Sequence, residues 1–165
     1  MFSDAFSPEG FIVRQCACDD VPYAKVNVAY AGCGAIAVYN LCRMLGVPAD
    51  WEGIKSALEQ SVLRGGKWGT SPVGVRRWLS GHGVAVARAY RPKKAEKLAE
   101  GSDAGILLYI HKGGAHYVAF KNEGGLLHFY NVGPSHPEET LTLEKFIKNN
   151  SSFPFVYLFT VKAGL

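Results

Sequence analysis

The sequence predicts an α+β chain in which N-terminal helices pack on a C-terminal antiparallel sheet. Three observations carry this: helical spacing of apolar residues up to about Gly81, short apolar runs between glycine-rich turns after it, and no repeat or low-complexity tract dividing the 165 residues. With 48% apolar residues and charges of both signs, the chain can bury a substantial core, so one domain spanning residues 1–165 is expected.

The elements follow in order. Residues 33–45 read as a helix stopped by Gly46 and Pro48. Its clearly polar positions, Tyr39, Asn40 and Arg43, form one narrow stripe, so the helix should run through the core. A second helix begins with Asp50 as N-cap and carries Ile54, Leu58 and Val62 at four-residue spacing. A third starts at Thr70-Ser71-Pro72, where proline suits the first turn, and stops near Gly81-His82-Gly83. Residues 84–90, 105–110, 117–120 and 126–130 read as strands, 93–100 and 143–149 as short helices, and 155–161 as a closing strand.

Composition excludes several classes of function. A net charge of +4 is modest, and the densest basic stretch, residues 88–97, is interrupted by Tyr90, Pro92 and Glu96; no nucleic-acid partner is expected. No apolar run reaches the roughly 18 residues of a membrane span, and the N-terminus has no signal-like pattern, which favours a cytoplasmic location. Cys16, Cys18, Cys33 and Cys42 have neither disulfide-framework nor structural-zinc spacing, so reduced thiols and no metal or organic cofactor are expected.

The chemistry centres on Gly32-Cys33-Gly34-Ala35. Small neighbours leave the Cys33 sulfur uncovered at a helix start, where free N–H groups and the macrodipole favour a thiolate. From this segment alone Cys33 reads either as an activated nucleophile or as a small core residue; Cys42, in mid-helix, reads as core. A nucleophile needs a base brought to it by the fold. His116 opens a strand directly after Gly113-Gly114-Ala115, while His82, His111 and His136 sit at element ends or in loops and read as surface residues. If the next hairpin pairs symmetrically about Glu123-Gly124, Lys121 opposes Leu126 and His116 opposes Asn131, within reach of a side-chain hydrogen bond, while His128 opposes Ala119 on the other face. Asn131 also reads as a turn residue of Asn131-Val132-Gly133-Pro134.

Gly32-Cys33-Gly34-Ala35-Ile36-Ala37, Ala115-His116-Tyr117-Val118 and Tyr130-Asn131-Val132-Gly133 resemble the Cys, His and Asp/Asn motifs of papain-like cysteine peptidases, and most of all those of bacteriocin leader peptidases that cut after a double glycine. The resemblance covers roughly residues 25–135. It implies a papain-like fold, a peptide or protein substrate, and hydrolysis by a Cys33-His116-Asn131 triad through a thioester acyl-enzyme. The family places a glutamine six residues before the cysteine, in the oxyanion hole. Here that position holds Asn27, a donor of the same type that is one methylene shorter. Gly65-Gly66-Lys67-Trp68-Gly69 and Gly113-Gly114 are expected to flank the cleft, with Gly66, Trp68 and Gly114 as substrate-binding residues; Trp68 equally suits packing under its own loop. A cysteine-dependent acyltransferase or amidase, and a non-catalytic peptide-binding module of the same fold, are the alternatives.

Overall fold

A computed structural model describes residues 2–162; Met1 and residues 163–165, included in the expected domain, lie outside the described residues. After an irregular N-terminal segment come a two-strand ribbon, β1 (Pro22–Tyr23) and β2 (Val26–Asn27), then helices α1 (Val28–Ala31), α2 (Cys33–Leu45), α3 (Trp51–Glu59) and α4 (Pro72–Gly81). The C-terminal part alternates β3 (Ala87–Ala89), α5 (Pro92–Glu100), β4 (Ala104–His111), β5 (Gly114–Glu123), β6 (Leu126–Tyr130), β7 (Glu138–Leu141), α6 (Leu143–Asn150) and β8 (Val156–Val161). The six-stranded sheet has the order β3-β8-β4-β5-β6-β7 and is antiparallel throughout.

The helix ends follow from their residues. Asp50, Ser71 and Thr142 cap α3, α4 and α6, accepting from the backbone N–H of Gly53, Val73 and Lys145. Gly46 ends α2 in the left-handed conformation, where a Cβ would be strained. α2 is buried along most of its length and packs against β4 and β5. Its core joins Ile36, Val38 and Leu41 to Ile106, Tyr117, Ala119 and Phe159. The opposite face of the sheet, with Leu107, Val118, Phe120 and Leu158, is covered by α5 and α6.

Asn40 lies within the apolar part of α2 and is fully buried, which requires partners for its amide. It accepts from the Ile12 N–H at 2.9 Å and donates to the Ile12 carbonyl at 2.8 Å. Its stripe neighbours bind the same segment, Tyr39 through its hydroxyl to the Gly10 carbonyl and Arg43 to the Glu9 carbonyl. The polar stripe on α2 thus holds residues 9–12 as a strap across the helix.

The expected hairpin register is corrected. Glu123 pairs with Leu126 around a Gly124-Gly125 turn, both glycines having positive φ, and Lys121 opposes His128. The whole register therefore lies two residues from the symmetric expectation. A two-residue shift preserves the faces, so His128 remains on the face opposite His116, bonded to Glu138 and Thr140. Among the described residues no helix is long and apolar enough to cross a membrane.

Candidate active site

The site forms where β6 leaves β5. Their last pair is Ala119 with Tyr130, so residues 114–118 of β5 continue with β4 as their only strand partner among the described residues. Asn131 then turns the chain away in the left-handed region, at φ 63°, a conformation asparagine tolerates better than most residues. Tyr117 and Ala119 pack toward α2, so strand alternation places His116 on the opposite face, beside Tyr109, with ring centroids 5.8 Å apart. Cys33 reaches the same place from α2. Cys33 and His116 line one cavity of about 330 Å³, together with Gln15, His111, Ala115 and Asn131.

Cys33 is 5% exposed. Gly34 permits the tight packing beside it, since a Cβ there would meet the Thr70 side chain at 2.7 Å. Thr70 is buried and is itself fixed by the Tyr23 and Tyr117 hydroxyls. Burial pushes the Cys33 thiol up, and the backbone N–H groups of Tyr117, Gly34 and Cys33 that face the sulfur oppose this only in part. The helix-start stabilisation expected of a thiolate is present but is outweighed by desolvation. Burial likewise pushes His116 down, opposed by its hydrogen bond to Asn131. Both shifts favour a neutral thiol beside a neutral imidazole.

The Asn131 contact is not the side-chain bond inferred from the hairpin. His116 Nε2 lies 2.7 Å from the Asn131 backbone carbonyl, which can only accept, so Nε2 carries the proton and Nδ1 is the basic atom. The Asn131 side chain is turned to Gln15. Its Oδ1 accepts from the Gln15 backbone N–H at 3.1 Å and its Nδ2 donates to Gln15 Oε1 at 3.0 Å.

Asn27 does not meet its expected role. Its Oδ1 caps α1 by accepting from the Tyr30 N–H, its Nδ2 donates to the Asp19 carbonyl, and it borders a separate acidic surface cavity with Asp19 and Asp20. The side-chain amide that reaches the Cys33 cavity is that of Gln15, eighteen positions before the cysteine. The local motif around Cys33 gave no signal for it, because the β1–β2 ribbon and α1, residues 22–31, intervene.

His111 was expected at the surface but lines the cavity; its Nδ1 accepts from the Gly113 N–H, and burial, with His116 nearby, pushes its pKa down. His82 stacks on Trp78 and His136 is exposed. An adjoining cleft of about 470 Å³ runs from Cys33 between the loop bearing Trp68 and the β4–β5 hairpin. Trp68 is 63% exposed, with the Arg64 guanidinium 4.5 Å above its ring, so it stands on the rim and is not packed under its loop. Gly114 lines this cleft as expected. Gly66 does not: it is buried, and a Cβ there would meet Val26 at 2.7 Å, while Gly69 takes the place at the wall. Among the described residues no group of three or more His, Cys, Asp or Glu side chains is gathered as metal ligands.

No protein-family model matches this chain, and no curated protein does. Solved structures do. The peptidase domain of Streptococcus ComA, a bifunctional ABC transporter of a quorum-sensing pathway, is similar with a TM-score of 0.57 and 14% identity over 79% of this chain and 90% of that one. A double-glycine-motif protease from an AMS/PCAT transporter, solved with its leader peptide, is similar with a TM-score of 0.53 and 19% identity over 79% of this chain and 84% of that one. The helices packed on an antiparallel sheet are therefore those of the papain-like peptidase-domain fold, which this chain shares with both.

Proposed function

We propose that this protein is a cysteine peptidase in which Cys33 is the nucleophile, His116 the general base and acid, and Asn131 the residue that orients the imidazole. The observation that carries the reading is the shared cavity: Cys33 and His116 open onto the same space, with the Tyr117 N–H facing the sulfur and Nε2 of His116 engaged by the Asn131 carbonyl.

The proposed steps use that geometry. With Nε2–H engaged, Nδ1 takes the thiol proton as the sulfur attacks a peptide carbonyl carbon, forming a C–S bond and an oxyanion. Backbone N–H groups of Cys33 and Gly34, at the start of α2, are the donors we assign to that charge. Asn27 is given no part. Collapse of the intermediate breaks the C–N bond, with the proton on Nδ1 going to the leaving amine and the acyl group left on sulfur as a thioester. Water, deprotonated by the same nitrogen, then releases the acid and restores the thiol.

Ala31, Gly69, Gly114 and Ala115 are small residues of the cleft lining, and Leu63, Trp68, Leu108 and Ile110 give it an apolar wall. This suits an extended peptide with small residues at the cut and apolar side chains beyond it, the substrate class suggested by the double-glycine protease. The test is incubation of wild type and Cys33→Ala with a peptide library, with products read by mass. Cleavage products from wild type alone are expected. Transfer of the acyl group to an added amine in preference to water would establish the acyltransferase alternative, and bound but uncut peptides the binding-module alternative.

A further inference from the structure

The chain that leaves the strap across α2 reaches the cavity at Gln15, whose side chain is tightly constrained. Asn40, Tyr39 and Arg43 fix residues 9–12. Three positions on, every polar group of the Gln15 side chain is used. Nε2 donates to the Val28 carbonyl and to the Ala29 carbonyl, both at 3.0 Å, and Oε1 accepts from Asn131 Nδ2. With both amide hydrogens committed to α1, Gln15 has none to offer an oxyanion. With the additional bond from the Gln15 N–H to Asn131 Oδ1, two parallel hydrogen bonds join Gln15 to Asn131.

We infer that Gln15 is a positioning residue for His116. It clamps the Asn131 side chain between the strap and α1, and so holds the left-handed Asn131 backbone with its carbonyl on His116 Nε2–H. The clamp adds to the backbone bonds on either side, the Tyr130–Glu138 pair and the Val132 N–H on the Pro137 carbonyl, in holding a buried, 2% exposed residue in the left-handed region. Its consequence is the tautomer: while the Asn131 carbonyl is held in place, the imidazole keeps its proton on Nε2 and presents Nδ1 as the base. The functional meaning rests on the peptidase reading, but the structural claim is testable without any peptide.

The experiment is ¹⁵N-edited imidazole NMR of the full chain at a pH where His116 is neutral, on wild type, Gln15→Met and Asn131→Gly. Gln15→Met keeps length and removes the side-chain hydrogen bonds; Asn131→Gly removes the clamp while tolerating positive φ without strain. Wild type should show a single Nε2–H tautomer. Both variants should show a tautomer mixture with Nε2–H exchange faster by roughly tenfold, and the double variant should add little, since the two residues act as one unit. In turnover, kcat should fall with KM little changed. His116 resonances and proton exchange unchanged in Gln15→Met would overturn the inference, and with reduced kcat would assign Gln15 to the oxyanion instead. If Gln15→Met does not fold, Asn131→Gly alone decides by the same resonances. A wild type that cuts no peptide, with the tautomer change seen in the variants, would refute the proposed function and leave the clamp standing.

Discussion

The N-terminal strap and the β4–β5–β6 meander meet at the same cavity but are held by different means. The meander is a backbone ladder: eight residue pairs join β4 to β5, and its side chains alternate between two apolar layers. The strap has no such ladder with α2. Its backbone bonds run to residues 5–7 of its own segment, and it is joined to α2 and to the end of β6 by side chains, chiefly the reciprocal Asn40–Ile12 pair in the core and the Gln15–Asn131 pair beside His116. A ladder spreads its stability over many equivalent bonds, whereas a strap concentrates it in a few buried amides.

The sharpest way to break this contrast is Asn40→Ala. It strands the Ile12 N–H and carbonyl in the core, at about 1–3 kcal/mol each, so a loss of about 2–5 kcal/mol is expected in urea unfolding, with protease cleavage appearing first within the strap. Asn122→Ala is the matched change in the meander. Asn122 donates to the Ala99, Glu100 and Ser102 carbonyls, but it is only half-buried and water can replace it, so about 1 kcal/mol is expected. Equal losses for the two would remove the distinction.

Gly34→Ala probes the contact between α2 and the loop that carries Trp68. The added methyl would lie 2.7 Å from Thr70 Cβ, and the expected cost is about 1–3 kcal/mol, read as a lower midpoint of thermal unfolding. Trp68→Ala lies at the other extreme. The ring is exposed, so stability should change by less than about 0.5 kcal/mol. A several-fold rise in KM with kcat retained is expected, and an unchanged KM would take Trp68 out of substrate binding.

The pH profile of kcat/KM tests the electrostatics of the pair. Catalysis by a neutral pair requires unprotonated His116 and protonated Cys33. Burial lowers the first pKa and raises the second, so the acid limb should lie below that of a free imidazole and the alkaline limb above that of a free thiol. Thiolate absorbance that depends on Cys33 should accordingly be absent at neutral pH. Its presence there would show an ion pair in which the helix start, and not burial, prevails.

What the sequence made legible divides along the same line. The bounds of α2, α4, α6 and β6 were readable from periodicity, caps and glycines, because those signals are local. Cys33 stood out because it starts such an element, and His116 because it follows Gly113-Gly114-Ala115 near the start of β5. The hairpin register was missed by two residues because symmetry about Glu123-Gly124 ignores the preference of a Gly-Gly pair for the two turn positions themselves. β7 and the β1–β2 ribbon are too short to carry a period. The strap was illegible as structure, yet it left one trace: Tyr39, Asn40 and Arg43 on an otherwise apolar helix. A buried amide needs partners, and that requirement locates a strap without naming its residues. Nothing in the order of residues could join Gln15 to Asn131 across 116 positions.

Acylation of Cys33 with His116 carrying the proton is tested by acid-quenching a cleavage reaction within its first turnovers and weighing the intact protein. A hydroxylamine-labile adduct on Cys33 is expected, equal in mass to the N-terminal product less one water, formed by wild type, absent from Cys33→Ala and reduced to a trace in His116→Gln. Cleavage by Cys33→Ala at the wild-type rate, or an adduct on Cys16 in place of Cys33, would contradict it.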